Sequence, residues 1–302
     1  QNAEAYFSFS GTKLIFQSTN DWVKDTSAAP LKPADAGLGC YQMYVMDLDS
    51  GRVRLVSTGA GATTCGYFFP GDRRVLYSST HASGPNCPPK PKREGAYRWA
   101  LDDYDIYAVR IDGQEMQRLT STPGYDAEAT ISPDGKTIVW TSVKDGDLDL
   151  YAMNLDGSKP RRLTHEIGYD GGAFFSPDSK RIVYRAAHPT DQAEIAKYKD
   201  LLKQSLVEPG QLEIFVMNAD GSGQRLVTSN GASNFSPFYF PDGKRIIFSS
   251  NIETKGEGGR PSFHLYAIGE DGQGLERLTF DGQFNSFPMF SPDGTRLVWV
   301  SD

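Results

Sequence analysis

Short runs of apolar residues, separated by turn-forming residues, recur along this chain. The pattern is clearest between Tyr125 and Thr164, where four such runs occupy residues 129–131, 137–142, 148–154 and 161–164. The turn Ser132-Pro133-Asp134-Gly135 stops the first run, because proline fixes φ, aspartate bonds back to the backbone and glycine accepts positive φ. The unit therefore predicts four short antiparallel strands, and a sheet this small must stack on similar sheets to bury both of its faces.

Copies of this unit extend over the whole chain. Turns of the Ser-Pro-Asp-Gly type recur at residues 176–179, 241–243 and 291–294, with degraded forms at 70–72 and 10–11. Six copies of the first strand pair and five of the second pair are present, and repeats of about 40 to 45 residues with four strands each are typical of β-propellers. We therefore predict an all-β fold, a six-bladed β-propeller of four-stranded antiparallel blades whose sixth blade is incomplete. A single propeller domain would occupy residues 1–302, with repeats at about 5–58, 63–121, 125–165, 169–229, 233–280 and 284–302.

The repeated residues resemble a known propeller family. The order of SPDG, a strand, a segment such as Asp149-Leu150-Tyr151-Ala152-Met153-Asn154, and a final Arg-Leu-Thr resembles the TolB-type repeat. The resemblance covers nearly the whole chain and implies a relationship to the propellers of TolB and of prolyl oligopeptidase and dipeptidyl peptidase proteins. It implies a fold much more specifically than a function, because one fold can carry many activities.

Composition narrows the possible partners. The chain has 302 residues and a net charge of −7, which argues against a nucleic-acid partner. The one basic cluster, Lys90-Pro91-Lys92-Arg93, is typical of a solvated loop. No apolar run is long enough to span a membrane. The abrupt start at Gln1 is what a cleaved leader would leave, so together with the family resemblance we expect a secreted, periplasmic or cell-surface protein.

Three cysteines allow one disulfide and one free thiol. Cys87 lies in a proline-rich loop that can reach a partner, so we expect Cys87 to pair with Cys40 or Cys65. Three buried, unreactive thiols are the alternative.

The long insertions all fall on one side of the predicted propeller. They follow second strands, at residues 20–39, 81–103, 188–211 and 252–262, and the links between blades lie on the same side. Long loops on a rigid scaffold commonly carry binding sites. We therefore predict a ligand-binding face that contains Trp22, Tyr97, Trp99, Tyr125, Asp126, Glu128, Tyr169 and Asp170. The aromatic side chains could bind a sugar or peptide, or could equally fold the loops down onto the blades.

The insertion at 188–211 is predicted to contain a helix. Asp191 can cap its start, Glu194 follows three residues later, and Pro209-Gly210 stops it. Its apolar stripe favours packing on the propeller, and a lid or partner-docking helix is the alternative.

Histidines and carboxylates of the same face raise the question of a metal. His81 and His188 follow the second strands of their repeats, and Asp126 and Asp170 lie at the start of two neighbouring repeats. This combination could hold a divalent cation, or the side chains could bond only to water and backbone. We expect no other cofactor. The absence of a G-x-S-x-G motif and of any spacing typical of a catalytic triad favours a non-catalytic protein.

The last repeat ends after its second strand. The natural chain could continue, the blade could be short, or another molecule could add a strand by β-augmentation. Three functional hypotheses follow. The first is a non-catalytic exported scaffold that binds a protein, peptide or glycan through the loop-rich face. The second is a metal-dependent enzyme acting on a polysaccharide, and the third is a subunit that assembles by strand donation, for example into a filament or another homo-oligomer.

Overall fold

The inner strands of successive repeats form a closed ring. A computed structural model describes residues 2–19, 40–91, 97–253 and 261–302. In these residues the first strands contact one another in chain order, and the last contacts the first. The sequence analysis is therefore correct that the chain is an all-β propeller.

Five of the repeats form four-stranded antiparallel sheets, which we call the first to fifth blades. The first contains β1 (Asn2–Phe7), β2 (Lys13–Ser18), β3 (Gln42–Asp47) and β4 (Val53–Leu55). The second contains β5 (Thr63–Phe68), β6 (Arg74–Ser79), β8 (Asp105–Arg110) and β9 (Gln117–Arg118). The third contains β10 (Asp126–Ile131), β11 (Thr137–Ser142), β12 (Asp149–Asn154) and β13 (Arg161–Arg162). The fourth contains β14 (Tyr169–Phe175), β15 (Arg181–Ala187), β17 (Glu213–Asn218) and β18 (Arg225–Leu226). The fifth contains β19 (Asn234–Tyr239), β20 (Arg245–Ser250), β21 (His264–Gly269) and β22 (Glu276–Arg277).

The prediction of six blades was wrong. The last repeat forms only β23 (Asn285–Phe290) and β24 (Leu297–Ser301), a two-stranded sheet. No described segment adds a third or fourth strand to it. The structure therefore has five blades and one inner hairpin, which packs between the fifth blade and the first.

Repeated turns and repeated aromatic pairs hold each blade. In the third blade Ser132 donates to the Asp134 carboxylate at 2.7 Å, the Gly135 N–H donates to the Ser132 carbonyl at 2.8 Å, and Gly135 has φ of 67°. Trp140 of β11 pairs with Tyr151 of β12, with ring centroids 5.5 Å apart. Both rings are buried between blades. The alternation read from the sequence therefore places this aromatic pair of the third blade in the core.

Two insertions meet over the propeller. The helix α1 (Gln192–Lys203) begins after Asp191, whose carboxylate accepts from the N–H groups of Ala193 and Glu194. This confirms the predicted helix start, although the helix ends before Pro209-Gly210. After it, β16 (Leu206–Val207) pairs with β7 (Trp99–Ala100) from the insertion of the second blade. No helix in the described residues is long and apolar enough to cross a membrane.

Candidate functional site

The propeller axis is lined by one bulged residue from each inner strand. Every inner strand breaks its register once, and a residue with positive φ lies at each break. These residues are Glu4, Cys65, Glu128, Gly172, Ser236 and Phe287. All six line a cavity of about 30 Å³, which has room for about one water molecule. Bulges can re-aim side chains, and here the bulged residues, five of which carry a side chain, line the channel and determine its chemistry.

Arg185 is the central charge of this channel. It is 6% exposed and forms an ion pair with Glu128. Its Nε and Nη2 donate to the Tyr169 hydroxyl at 2.9 and 2.7 Å. Burial alone would lower the pKa of Arg185, but the Glu128 carboxylate and Tyr169 raise it above its usual range. Arg185 therefore stays charged, and its partners come from two adjacent blades.

Glu128 is held by further donors. Its Oε2 accepts from the Tyr169 hydroxyl at 3.1 Å, from the Gly172 N–H at 2.9 Å and from the Thr141 hydroxyl at 3.0 Å. Gly171 leaves space for this arrangement, since a Cβ atom there would lie 2.3 Å from the Tyr169 hydroxyl and 2.4 Å from Glu128 Oε2. The Gly171-Gly172 pair therefore permits the cluster to form.

The same cavity is also lined by Glu4 and Cys65. Glu4 is half-buried as a residue, but its Oε2 atom is enclosed and has no hydrogen-bond partner among the described residues. Burial raises the pKa of Glu4 to about 7, with a further contribution from the Glu128 charge. Burial also raises the pKa of the Cys65 thiol well above its usual value. The channel thus holds a carboxyl group whose pKa lies near neutral pH and a thiol that stays protonated at neutral pH.

An aromatic cap lies above Arg185. We use "aromatic cap" for Tyr97, Trp99 and Tyr169. The guanidinium carbon of Arg185 lies 5.2 Å from the Trp99 ring centroid and 5.5 Å from that of Tyr169. Trp99 packs edge-on against both aromatic neighbours, with centroids 6.3 Å from Tyr97 and 5.9 Å from Tyr169. Tyr97 is 63% exposed, so the cap reaches from the buried arginine to the solvent.

The β7–β16 ribbon and helix α1 fix the cap in place. Arg98, which precedes β7, forms an ion pair at 3.3 Å with Glu208, which follows β16. Tyr198 of α1 donates towards the Gly168 carbonyl at 2.8 Å and also contacts Asp147. Leu201 of α1 is buried. The helix therefore packs on the propeller, and its contacts support the ribbon that carries Trp99.

The predicted face residues have several different roles. Glu128, Trp99 and Tyr169 surround Arg185, and Tyr97 is exposed beside them. Tyr125 packs against Tyr104 with ring centroids 6.0 Å apart, and the Asp126 carboxylate accepts from the Trp140 indole at 3.0 Å. Asp126 is therefore a buried support for the blade. Trp22 lies outside the described residues.

The four residues predicted to hold a cation do not converge. His188 contacts Asp170 at 2.9 Å, which raises the pKa of His188 although burial alone would lower it. His81 instead contacts the Ser79 hydroxyl at 2.8 Å, and burial lowers its pKa. Within the described ranges, no group of three or more histidine, cysteine, aspartate or glutamate side chains could hold a metal ion.

One disulfide and a second cavity lie on the loop-rich face. Cys40 and Cys87 form a disulfide with Cα atoms 5.6 Å apart, and Cys65 is the free thiol. Beside this disulfide lies an open cavity of about 250 Å³, lined by Thr80, Ser83, Gly84, Asn86, Pro88, Asp102 and Asp103.

Sequence reasoning did not identify Arg185, Gly171, Gly172 or Glu4 as site residues. The Tyr-Asp-Gly-Gly segment at 169–172 was the available signal, because adjacent glycines in a strand often mark a bulge or a close approach.

Comparisons with known proteins agree with this architecture. Residues 101–205 match the model of the tricorn protease N-terminal β-propeller domain, and residues 199–302 match the TolB β-propeller domain. Over 79 residues the chain is 34% identical to a TolB homologue of Chlorobium luteolum, which is 25% of this chain and 18% of that protein. Over 91 residues it is 31% identical to dipeptidyl-peptidase 5 of Porphyromonas endodontalis, covering 30% of this chain and 12% of that protein.

A solved structure extends the similarity to the whole fold. A TolB-type structure from Agrobacterium tumefaciens superposes with a TM-score of 0.66 at 20% identity, covering 100% of this chain and 91% of that one. The matches to the two curated relatives span less than a fifth of the length of either relative. The repeated motifs, the propeller ring and both domain matches agree, and the chain is a TolB-type β-propeller repeat protein related to the propellers of TolB and of dipeptidyl peptidases.

Proposed function

We propose that this chain is a non-catalytic exported scaffold that binds a protein, peptide or glycan through its loop-rich face. The observation that carries the proposal is the aromatic cap. Tyr97 is 63% exposed, yet its ring rests against Trp99, which in turn packs on Arg185 and Tyr169. A large aromatic side chain that is exposed and already held in place can bind a partner with little loss of conformational entropy.

The surroundings of the cap favour a polypeptide as the partner. Arg98, Glu208 and Lys197 form an ion-pair network beside the exposed ring. An aromatic anchor with a rim of mixed charge is typical of protein-binding surfaces. A glycan that stacks on Tyr97 is the alternative ligand of the same surface.

The proposed location outside the cytoplasm is supported by the Cys40–Cys87 disulfide. Structural disulfides form and persist in oxidising compartments. Fractionation of cells that produce the natural protein, followed by thiol labelling under denaturing conditions, tests this location. Recovery in the cytoplasm with both Cys40 and Cys87 labelled would contradict it.

The binding role is tested by selecting ligands against the chain and comparing variants. A random peptide library and a glycan array serve as the probes, and each selected ligand is then titrated against the Tyr97→Ala variant. We expect at least a tenfold loss of affinity, because an aromatic anchor at the centre of a binding surface contributes about 2 kcal/mol or more. Phe280→Ala is the matched control, since Phe280 is 72% exposed but lies outside the aromatic cap.

Two outcomes would overturn the proposal. One is that neither probe set yields a ligand whose binding saturates. The other is that the selected ligands bind the Tyr97→Ala variant as tightly as the unchanged chain. Thermal melting of both variants shows whether a loss of binding reflects unfolding, which we do not expect for side chains this exposed.

A further inference from the structure

The propeller axis is closed on one side by aromatic rings. Tyr6, Tyr67 and Phe174 pack together with ring centroids 5.5 to 6.3 Å apart, and Phe238 packs on Phe174 at 5.2 Å. Each of these residues lies two positions after the bulged residue of its inner strand. The rings are therefore further from the loop-rich face, where the inner strands begin. Since the cavity between the bulged residues is partly open to solvent, a ligand would enter it from the loop-rich face.

Glu4 is the carboxyl group of this cavity that lacks a counter-charge. Its Oε2 atom is enclosed and has no hydrogen-bond partner in the described part of the chain. The Cys65 thiol and the charges of Glu128 and Arg185 act on Glu4, but the guanidinium of Arg185 is already paired with Glu128. The other titratable groups near Glu4 are neutral phenols, those of Tyr6, Tyr41 and Tyr104. Two carboxyl groups thus share one cation, and an enclosed carboxylate needs a donor or a cation of its own.

The remaining lining of the cavity suits a small cation. The volume of about 30 Å³ admits one group of the size of a water molecule, which an ammonium group matches and a planar guanidinium exceeds. The rings of Tyr6, Phe174 and Phe287 line the cavity, and aromatic faces attract cations. The hydroxyl oxygens of Thr130 and Ser236 also line it and can accept hydrogen bonds from an ammonium group.

We propose that this cavity binds the primary ammonium group of a lysine side chain of the partner, with Glu4 as its counter-ion. Arg185 lines the cavity and contacts Trp99, so the site lies next to the aromatic cap. A partner that carries lysine is one form of the polypeptide partner proposed above, on which this inference rests. Glu4 lies two residues after the start of β1, roughly 7 Å along the strand. The flexible four-carbon stem of lysine can bring its ammonium group to this depth, whereas an amino terminus would have to bring its backbone into the channel.

Binding at this site should be linked to the ionisation of Glu4. Burial raises the pKa of Glu4 to about 7, and the ammonium group binds the ionised carboxylate. The amine of lysine itself stays protonated from pH 6 to pH 8. The affinity should therefore rise about tenfold from pH 6 to pH 8, as the ionised fraction of Glu4 rises, and binding at pH 6 should release a proton.

The probe is N-acetyl-lysine methylamide, titrated against the whole chain and followed by NMR. We expect saturable binding that shifts the amide signals of Glu4, Cys65 and Ser236. N-acetyl-norleucine methylamide has a similar side chain without the amine, and alanine methylamide has only an α-amino group. Each of these two compounds should bind at least tenfold more weakly than the lysine derivative.

Three variants separate this site from the other surfaces of the loop-rich face. Glu4→Gln should lower the affinity for the lysine derivative at least tenfold at pH 8 and remove its pH dependence. The Asp102→Asn, Asp103→Asn double variant is the matched control, because it removes the two carboxylates of the other cavity on this face and should leave binding unchanged. Tyr97→Ala should also leave binding of this small probe unchanged, although it should weaken the ligands selected for the aromatic cap. A melting curve of each variant shows that it is folded.

Several results would overturn the inference. One is the absence of saturable binding, as expected if only water enters the cavity. Another is equal binding of the lysine derivative by the Glu4→Gln variant, or equal binding of either control compound by the unchanged chain. Loss of binding in the Asp102→Asn, Asp103→Asn variant would place the amine in the other cavity. If the lysine derivative binds as expected but the Tyr97→Ala test fails, the function of the cap is contradicted and the ammonium site is not.

Discussion

Arg185 and Glu128 form an ion pair across the propeller axis, from β15 of the fourth blade to β10 of the third. Both side chains are nearly buried, with exposed fractions of 7% and 12%. Replacement of Arg185 by methionine would leave the Glu128 carboxylate buried without its counter-charge. We expect the free energy of unfolding to fall by about 3–5 kcal/mol, as is typical when one member of a buried ion pair is removed. Denaturation in urea measures this change.

A second substitution separates charge from packing in this prediction. In the Arg185→Met, Glu128→Gln double variant no uncompensated charge remains, so we expect much of the lost stability to return. Equal stabilities of the single and double variants would show that the ion pair is not the reason for the loss.

The sequence analysis identified Glu128 as a site residue but did not identify Arg185. Glu128 lies in an inner strand next to a blade link, and this position alone suggested that it faces the axis. Arg185 follows the apolar run 182–184 in a second strand, and nothing in that pattern marks it as a site residue. The direction of the Arg185 side chain depends on the bulge at Gly172 and on Glu128 in the neighbouring blade. Arg185 and Glu128 are 57 positions apart, and such a contact has no signature in the local sequence pattern.

Glu4 should make stability depend on pH. Burial raises the pKa of Glu4 from its ordinary value of 4.5 to about 7. The folded state therefore binds this proton more tightly than the unfolded state does. The resulting stabilisation is complete below about pH 4.5 and is lost as the pH rises through about 7. The Glu4→Gln variant lacks this dependence, so we expect its melting temperature to rise relative to that of the unchanged chain between pH 5 and pH 8.

Other buried acids do not obscure this comparison. Burial also raises the pKa of Asp149, to about 6, but Asp149 is present in both proteins and its contribution cancels in the difference. A difference in melting temperature that stays constant from pH 5 to pH 8 would contradict the role assigned to Glu4.

Gly171 should tolerate no side chain. A Cβ atom there would lie 2.3 Å from the Tyr169 hydroxyl and 2.4 Å from Glu128 Oε2, so the Gly171→Ala variant must displace the cluster around Arg185. We expect a loss of about 1–3 kcal/mol in the free energy of unfolding, as for other overpacked sites. Gly210→Ala is the matched control, because no atom lies within 4 Å of a Cβ built there. Similar losses for the two variants would contradict the steric explanation.

The strands and the cap differed in how well the sequence predicted them. Inner hairpins and third strands were predictable because each has a turn motif and an alternating apolar run of its own. The number of blades was not predictable, because it depends on which strands pair outside β24. The β7–β16 ribbon was also missed, since each of its strands has only two residues and their pairing joins Trp99 to Val207. Trp99 and Val207 pack with Tyr169 and Leu148 in one apolar cluster, which no local pattern indicates.

The Cys40–Cys87 disulfide should contribute measurably to stability. It joins the start of the outer part of the first blade to the insertion of the second, and the two cysteines are 47 positions apart in the sequence. Cross-linking a loop of this length restricts the unfolded chain, and its removal typically costs about 2–4 kcal/mol. We expect a double Cys40→Ser, Cys87→Ser variant to unfold at a lower urea concentration than the unchanged chain. Added reductant should bring the unchanged chain to the same midpoint and leave the double variant unaffected. Cys65→Ser is the control, because its thiol is free and the reductant-sensitive difference should persist in that variant. A midpoint that reductant does not alter in the unchanged chain would show that the bond adds no stability.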